Sequence, residues 1–419
     1  MRISPQSTAF TLLISLLVAL PSFGIDMSLP ALTETGAALG AAPAAVGLTM
    51  STFMIGFAGA PLVYGPVSDR HGRKPVVIFA AALFVLASVG CGFARSLPSL
   101  LVWRFVQGAG AGASMAMAMA IVRDLFDGQA ARSKISYIAV AAMVVPMVAP
   151  SLGAVLLRFG GWRLIHAVLA GIGSVLAIAT LFGFAESARV DPANRLIPSL
   201  VVRNYLRVLT HSTCLGYIFC NAASFGMLFA YVSGSALFFT NVVGLRPEQY
   251  GLIFAATSFG IMAGAFINGH FGAWSAEPSR PLMFGLVLAV VAATLLLAIT
   301  LAGWTPLPAI IALLISCTFA FGLVAPNAMH EAMQPLPEIA GAVSAASGFV
   351  QMTFGAASSG LVAILYDGRS AVSMASVMVF CSLVAIASYG VVARPARMRN
   401  AVIEQGLLDP PAGTGREVA

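Results

Sequence analysis

The most restrictive feature of the sequence is a succession of long apolar runs separated by short polar segments. A membrane-spanning helix needs about 20 consecutive apolar residues, and these runs reach that length. They are continuous rather than alternating, which favours helices over a transmembrane β-barrel. The sequence therefore predicts an all-α membrane protein with twelve transmembrane helices, at 9–31, 44–67, 75–95, 98–122, 135–157, 162–184, 213–240, 250–271, 281–302, 307–329, 340–365 and 371–392.

The longest polar interruption divides these twelve helices into two sets of six. It covers 186–212 and predicts a cytoplasmic linker between an N-terminal bundle, 1–185, and a C-terminal bundle, 213–393. Paired bundles of this kind are typical of transporters built from repeats, with the site at their interface. The polar tail, 394–419, contains prolines and glycines and is expected to be disordered.

One short stretch, Gly65 to Pro75, concentrates charge in a chain with only 9% charged residues. Such a cluster cannot lie in hydrocarbon, so it predicts a short turn at one face of the bilayer. Gly65 and Gly72 suit tight turning and close backbone approach. Because most of the charges are basic, this turn is expected to face the cytoplasm. The charged residues are Asp69, Arg70, His71, Arg73 and Lys74.

The distribution of basic residues supports that orientation. With both termini inside, sixteen of the 22 Lys and Arg residues fall in inner segments, five fall in outer loops, and Arg104 lies in a helix. This bias is the positive-inside rule. It also explains the net charge of +7 without a nucleic-acid partner, and none is expected.

Two charged residues lie within the predicted helices at similar depths. Asp26 is the only acidic residue well inside the first helix, and Arg104 lies about six residues below the outer end of the fourth. Charge in hydrocarbon is costly and usually functional, so Asp26 is a candidate proton site and Arg104 its expected ion-pair partner. The alternative for Asp26 is an acid that reaches water at the outer end of its helix.

The fourth helix carries a polar face around Arg104. Arg104, Gln107, Gly108 and Ala111 are spaced i, i+3, i+4, i+7, which places them on one side of a helix. That face is expected to line a cavity. The alternative is a close-packed face, since Gly108, Gly110 and Gly112 permit near contact between helices.

Further apolar and aromatic residues are candidates for a broad-specificity pocket, because methionine and aromatic side chains adapt to varied ligands. Pro146 and Pro150 should bend the fifth helix, where the small residue Gly153 permits close packing. The candidate substrate contacts are Phe23, Gln107, Met115, Met119, Met143, Met147, Asn221, Phe225 and Phe229.

The Gly65–Pro75 stretch resembles the signature between helices 2 and 3 of the major facilitator superfamily, with matches at Gly65, Asp69, Arg70, Gly72, Arg73 and Lys74. The helix 4 pattern Arg-x-x-Gln-Gly-x-Gly resembles a second motif of that superfamily. Asp26 with Pro30, Val122–Asp124 and Ala325–Ala328 resemble its Bcr/CflA branch, which exports antibiotics. The fifth helix departs from the antiporter pattern, with Ala149 and Ala154 in place of glycines.

The resemblance implies a proton-coupling role for Arg104 and a gating role for the Gly65–Lys74 stretch. Asp69 is expected to contact the N-terminus of the eleventh helix near Gly341, because that end carries partial positive charge. Arg123 is expected to brace this contact. The contact would hold the two bundles together at the inner side.

Other kinds of site are not indicated by the sequence. There is no Walker A pattern, no His-Glu-x-x-His and no nucleophile elbow, which disfavours ATP-driven pumping and hydrolysis. The five cysteines lie in apolar runs without metal-ligand spacing and are expected to be small core residues. No metal and no cofactor is expected, and His166 is expected to be packed rather than proton-carrying.

These features together predict a monomeric efflux transporter that exchanges protons for small lipophilic drugs or antibiotics across a bacterial inner membrane, with no enzymatic activity. Two alternatives remain open. One is a specific metabolite exporter or proton symporter of the same fold, and the other is a sensor that binds a ligand without transporting it.

Overall fold

The computed structural model describes residues 3–183, 185–187, 198–271, 279–304, 306–393 and 395. These residues form helices and no β-strand. The helices are α1 (Thr8–Asp26), α2 (Leu32–Ala38), α3 (Pro43–His71), α4 (Arg73–Gly92), α5 (Leu97–Leu125), α6 (Gly128–Gly183), α7 (Pro198–Thr210), α8 (Ser212–Leu237), α9 (Pro247–Phe271), α10 (Ser279–Leu301), α11 (Leu307–Met333), α12 (Ala340–Leu365) and α13 (Val372–Ala387).

Eleven helices of the described chain are long and apolar enough to cross a membrane. One of them, α6, has 56 residues and contains two spans, because its backbone leaves the helical region at Gly160 and Gly161. Gly161 has a φ of 67°, which favours glycine. Beyond this turn, Trp162 donates its backbone N–H to Glu34 Oε1 at 3.1 Å. The prediction of twelve transmembrane helices is therefore confirmed.

The spans form two six-helix bundles, α1 to α6 and α8 to α13. In the first, α5 packs against α3 and α4; in the second, α8 packs against α12 and α13. Glycines allow the close contacts of α5, since a Cβ at Gly112 would lie 2.7 Å from the carbonyl oxygen of Phe57. A Cβ at Gly110 would lie 2.7 Å from the backbone nitrogen of Phe84. The small residues of α5 thus serve helix packing, as the sequence suggested.

The predicted linker contains a helix. Residues 188–197 lie outside the described residues, but α7 packs against α8 and α12. Val208 is fully buried in that contact, and Arg207 pairs with Glu338 at 2.7 Å. The predicted disordered tail, 394–419, lies outside the described residues except for Pro395.

The charged turn is much shorter than the sequence suggests. Helix α3 continues through Gly65 and Asp69 to His71, and α4 begins at Arg73, so Gly72 alone forms the turn. Its φ of 94° and ψ of 160° are readily adopted only by glycine. The expected turning role of Gly65 is wrong, because Gly65 is helical and nothing lies within 4 Å of where its Cβ would be.

We call the end of the molecule that bears this turn the inner end, following the predicted charge bias, and the opposite end the outer end. The two bundles meet toward the outer end, where Thr33 of α2 donates to Asn241 Oδ1 at 2.7 Å. In the same region a Cβ at Gly47 of α3 would lie 3.0 Å from Ala363 of α12. At the inner end, Gly65 and Gly341 have no described atom within 4 Å of a Cβ position. These contacts hold the outer ends of the two bundles together.

Candidate functional site

A cavity of about 240 Å³ lies between the two bundles, with each bundle supplying one wall. The wall from the N-terminal bundle consists of Val18, Pro21, Ser22, Ile25 and Asp26 of α1, Met54 and Phe57 of α3, Met115 of α5, and Ala142 and Pro146 of α6. The opposite wall consists of Phe225, Leu228, Phe229, Tyr231 and Val232 of α8, Phe254, Ser258 and Ile261 of α9, Thr318 of α11 and Met352 of α12. An apolar cleft with a few polar groups is typical of a site for small organic ligands.

Among the described residues, Asp26 is the only charged one that lines this cavity. It is the last residue of α1 and is 6% exposed. Its carboxyl makes no hydrogen bond or ion pair with any other described residue. A buried carboxylate without a partner is unfavourable, so this group favours either a bound proton or a ligand that supplies donors or positive charge.

Arg104 lies close to the same helix but does not pair with Asp26. Its Nη1 donates to the carbonyl oxygen of Gly24 at 2.8 Å and to Gln107 Oε1 at 2.7 Å. Its Nη2 lies 3.7 Å from the sulfur of Met50, and its guanidinium carbon is 4.8 Å from the ring centre of Phe53. The expected Asp26–Arg104 ion pair is therefore absent, because backbone and amide oxygens satisfy the guanidinium while Asp26 faces the cavity.

Gln107 belongs to the Arg104 network rather than to the cavity. Its Nε2 donates to Ser88 Oγ of α4 at 2.8 Å, and the residue is fully buried. Its side-chain oxygen and nitrogen thus join Arg104 to α4. The predicted polar face of the fourth helix exists, but it is directed into the N-terminal bundle.

The wall from the C-terminal bundle is aromatic and carries hydroxyl groups. The rings of Phe225 and Phe229 have centroids 4.5 Å apart, and Tyr231 stacks on Phe254 with centroids 5.9 Å apart. The Tyr231 hydroxyl hydrogen-bonds Thr257 Oγ1. Rings held in this way offer flat apolar surface with a few fixed polar groups.

The candidate substrate contacts divide into two groups. Met115, Phe225 and Phe229 line the cavity, and so does Pro146. The other candidates are not among the residues that line it, and they are Phe23, Gln107, Met119, Met143, Met147 and Asn221.

Several lining residues were missed, although spacing could have found some of them. Val18, Ser22 and Asp26 are four residues apart on α1, so they share one helical face. Phe254, Ser258 and Ile261 of α9 are spaced i, i+4, i+7 and also share one helical face. The sequence does not separate a face directed to a cavity from one directed to lipid.

The proposed helix-bending residues lie in α6. Apart from Gly160 and Gly161, the backbone of α6 keeps helical φ and ψ, including at Pro146 and Pro150. Gly153 makes a close approach to the carbonyl of Met27 at the end of α1. Bending at the two prolines stays a prediction.

At the inner end, Arg73 is the centre of an ionic cluster. Its Nη1 is 2.5 Å from Asp69 Oδ1 and 2.5 Å from Ser68 Oγ, and its Nε is 3.0 Å from Asp124 Oδ2. Glu186 accepts the backbone N–H groups of Arg73 at 2.8 Å and Lys74 at 3.1 Å. This carboxylate satisfies the free N-terminus of α4.

The expected gate contact is not formed in this structure. Asp69 pairs with Arg73 inside the N-terminal bundle and makes no bond to α12. Arg123 and Arg70 are exposed and have no polar partner among the described residues. Asp124, the neighbour of Arg123, makes the contact to Arg73 instead.

The C-terminal bundle has an uncharged contact at the corresponding place. Asn327 Nδ2 of α11 donates to Asn268 Oδ1 of α9 at 2.7 Å. Asn268 lies in the last turn of α9, and Asn327 lies in the Ala325–Ala328 stretch.

The chain was compared with known proteins. Among curated relatives, it is 30% identical over 378 residues to "Uncharacterized MFS-type transporter YdgK" of Bacillus subtilis, covering 89% of this chain and 92% of that protein. It is 27% identical over 387 residues to "Bicyclomycin resistance protein homolog" of Haemophilus influenzae, covering 91% and 95% of the two chains. It is 29% identical over 370 residues to "Multidrug resistance protein MdtL" of Escherichia coli, covering 88% and 92%.

Among solved structures, the fold resembles a bacterial homolog of the human lysosomal transporter Spinster in an inward-facing and occupied conformation. The TM-score is 0.74 at 14% identity, and the match covers 97% of this chain and 99% of that chain. The sequence also matches the family described as Major Facilitator Superfamily over residues 12–360. The twelve spans, the two bundles and this match lead to one conclusion: the chain belongs to the Major Facilitator Superfamily and is a multi-pass membrane transporter.

Proposed function

We propose that this transporter exports small, mostly apolar drugs or antibiotics in exchange for protons. The observation that carries the proposal is the Asp26 carboxyl, buried and unpartnered on the wall of an apolar, aromatic cavity between the bundles. The names of two relatives, which refer to multidrug and bicyclomycin resistance, support the choice of substrate class.

In the proposed cycle, a drug and a proton compete for Asp26. In the form parted at the inner end, Asp26 releases its proton to the cytoplasm, and the drug enters beside the carboxylate. After the bundles rock, a proton from outside neutralises Asp26 and the drug is released. Opposite preferences for proton and drug in the two states make the exchange obligatory.

Arg104 has a different role from the one its depth suggested. Through Nη1 it holds the carbonyl of Gly24, two residues before Asp26. We assign it the task of fixing the end of α1, which carries Asp26.

The rocking units are proposed to be 1–185 and 213–393, joined by the linker 186–212. In the outward-facing state, Asp69 would reach the N-terminus of α12 and close the inner end. The protein is proposed to act as a monomer in a bacterial inner membrane with both termini in the cytoplasm. Fusions of a reporter active only in the cytoplasm to residues 1 and 419 test this orientation, and an inactive reporter at either end contradicts it.

The central test uses purified protein in liposomes, with bicyclomycin and a lipophilic dye as probes. Drug movement is measured with an imposed pH gradient and, separately, as exchange without a gradient. Asp26→Asn should abolish gradient-driven movement and preserve exchange, because the carboxamide fills the same space but cannot bind and release a proton. Glu248→Gln, at an exposed position of α9, is the matched control and should behave like wild type.

Three results would contradict the proposal in different ways. Gradient-driven export by Asp26→Asn removes the role of this carboxyl. Movement of the probe in the same direction as the protons indicates a symporter. Binding without movement indicates a sensor.

A further inference from the structure

The helix of the linker, α7, has an exposed apolar face. Val202, Leu206 and Leu209 are spaced i, i+4, i+7, so they lie on one side of the helix. They are 56%, 54% and 51% exposed. Helix α7 has 13 residues, whereas a transmembrane helix needs about 20. This face is therefore not the lipid-facing side of a transmembrane span.

The packed side of α7 attaches the helix to the C-terminal bundle. Val208 is fully buried in a core that α7 shares with α8 and α12. Arg207 pairs at 2.7 Å with Glu338, which lies just before α12. Only His211, whose backbone is extended, separates α7 from the start of α8. Helix α7 therefore lies at the inner end of the molecule, at the level where the spans α8 and α12 begin.

The charge of α7 is entirely positive. The helix contains two arginines and no acidic residue. Arg203 is exposed and has no polar partner among the residues that the structure describes. Arg203 and Arg207 are spaced i, i+4, so they share the side of the helix that borders the exposed apolar face. Arginine at such a border can lay its methylene groups along apolar surface and direct its guanidinium to a phosphate.

A short helix with an apolar face and a basic border is typical of helices that lie in the surface of a membrane. The attachment of α7 to α8 and α12 holds it at the depth where such a surface is found. A positive helix without acidic residues favours acidic phospholipids over zwitterionic ones, because their headgroups carry net negative charge. Apolar surface and charge thus both point to the same partner.

We propose that α7 lies in the inner surface of the bilayer and binds acidic phospholipid. Val202, Leu206 and Leu209 insert between the lipids at the boundary of headgroups and acyl chains, and Arg203 binds a lipid phosphate. The linker is then more than a connection between the bundles, because it anchors the C-terminal bundle to the membrane surface.

The position of α7 is tested on the full-length protein in lipid nanodiscs. Spin labels are attached to Leu206→Cys and Leu209→Cys on the apolar face, and to Arg203→Cys on the basic side as the control. The five native cysteines are buried, so the label should react at the introduced site. Oxygen concentrates in hydrocarbon and a nickel complex stays in water. Labels at 206 and 209 should collide severalfold more with oxygen than with nickel, and the label at 203 should show the reverse.

Two results of this measurement overturn the proposal. Labels at 206 and 209 that collide with nickel as often as the label at 203 show that the apolar face lies in water. Labels that collide with neither reagent show that another part of the protein covers the face.

The choice of lipid is tested with a fluorescent label on Leu206→Cys in phosphatidylcholine nanodiscs. A minor share of quencher-bearing lipid is added, either as phosphatidylglycerol or as phosphatidylcholine. At low salt, phosphatidylglycerol should be enriched about fivefold at the label, the effect of about one basic residue near an acidic surface. The preference should disappear when Arg203→Gln is added, persist with Arg203→Lys and weaken as the salt concentration rises.

Arg246→Gln, an equal change of charge at an exposed position before α9, is the control and should leave the preference unchanged. Equal quenching by the two lipids overturns the binding of acidic phospholipid. A preference that survives Arg203→Gln, or that Arg246→Gln removes equally well, overturns the role of Arg203. Neither measurement depends on which substrate the protein transports.

Discussion

The two walls of the central cavity are built from different chemistry. The wall from the N-terminal bundle carries Asp26, and Arg104 of the same bundle binds the Gly24 carbonyl two residues before it. The wall from the C-terminal bundle carries rings and hydroxyl groups, and none of its described lining residues is charged. The difference suggests a division of labour in which one bundle binds the proton and the other provides most of the surface that recognises the drug.

The same contrast recurs at the inner end. The N-terminal bundle has the ionic cluster around Arg73, whereas the C-terminal bundle has the neutral contact between Asn268 and Asn327. At these two corresponding places, the charged contact is in the N-terminal bundle and the neutral contact is in the C-terminal bundle. Changes in the N-terminal bundle should therefore affect coupling, and changes in the C-terminal bundle should affect selectivity or local stability.

After Asp26→Asn, the largest effect is expected for Arg104→Ala. The change removes two hydrogen bonds and leaves the Gln107 oxygen without its donor, at a cost of about 2–4 kcal/mol. Gradient-driven export should fall about 100-fold, which corresponds to raising the activation free energy of transport by about 3 kcal/mol. Thermal unfolding in detergent and transport in liposomes measure the two effects. Wild-type export by Arg104→Ala would show that the end of α1 needs no such support.

Phe225→Ala tests the opposite wall. Removing this ring deletes its contact with Phe229 and enlarges the cavity, so affinity for aromatic drugs should fall about tenfold, or about 1.4 kcal/mol. The pH dependence of exchange should not change. Phe219→Ala, on an exposed face of the same helix, is the control. An equal loss for drugs of every size, or a shifted pH profile, would contradict the division between the walls.

Asp124→Asn and Arg123→Gln change two adjacent residues at the inner end. The Asp124→Asn change weakens the contact to Arg73 Nε at 3.0 Å by roughly 1 kcal/mol. Transport should therefore fall about threefold to tenfold. Arg123→Gln should stay within about twofold, because Arg123 has no polar partner among the described residues in this state. The effect of Asp124→Asn should also shrink as the salt concentration rises. A larger loss in Arg123→Gln would favour the gate that the sequence predicted.

The smallest effect is expected for Asn268→Ala. A neutral hydrogen bond contributes about 1 kcal/mol, so unfolding should shift slightly and transport should stay within about twofold. Added salt should not alter the result, in contrast to Asp124→Asn. A strong salt dependence would mean that this contact is part of an ionic network after all.

Much of the fold could be predicted from the sequence because a helix in hydrocarbon must satisfy its own backbone. The apolar runs therefore fixed the number and approximate ends of the spans, including the reversal at Gly160 and Gly161. The charged cluster was placed correctly at one end of α3, but its extent was not predicted. Hydrogen bonding of the last turn of α3 continues to Gly72, which is a property of the folded backbone and not of composition.

The site was predicted less completely. Depth along a helix can be counted from its ends, and this identified Asp26 and Arg104. The direction in which each side chain points depends on which neighbouring helix approaches most closely. Glycines on α5 bring α3 and α4 close, so Arg104 and Gln107 meet the Gly24 carbonyl and Ser88 rather than the Asp26 carboxyl. The lining residues of α9 and α11 were missed because the direction of their side chains also depends on how the neighbouring helices approach.

By itself, the sequence determined that this chain crosses a membrane twelve times, that Gly72 can form the inner turn, and that an acid and a base are carried into the hydrocarbon. These are local properties, set by the hydrophobicity of about 20 residues at a time and by the conformational range of glycine. Only the tertiary structure decided that the acid faces a cavity alone and that the base is bound by backbone and amide oxygens. The partners of a buried polar group are chosen by the contacts between helices far apart in the chain.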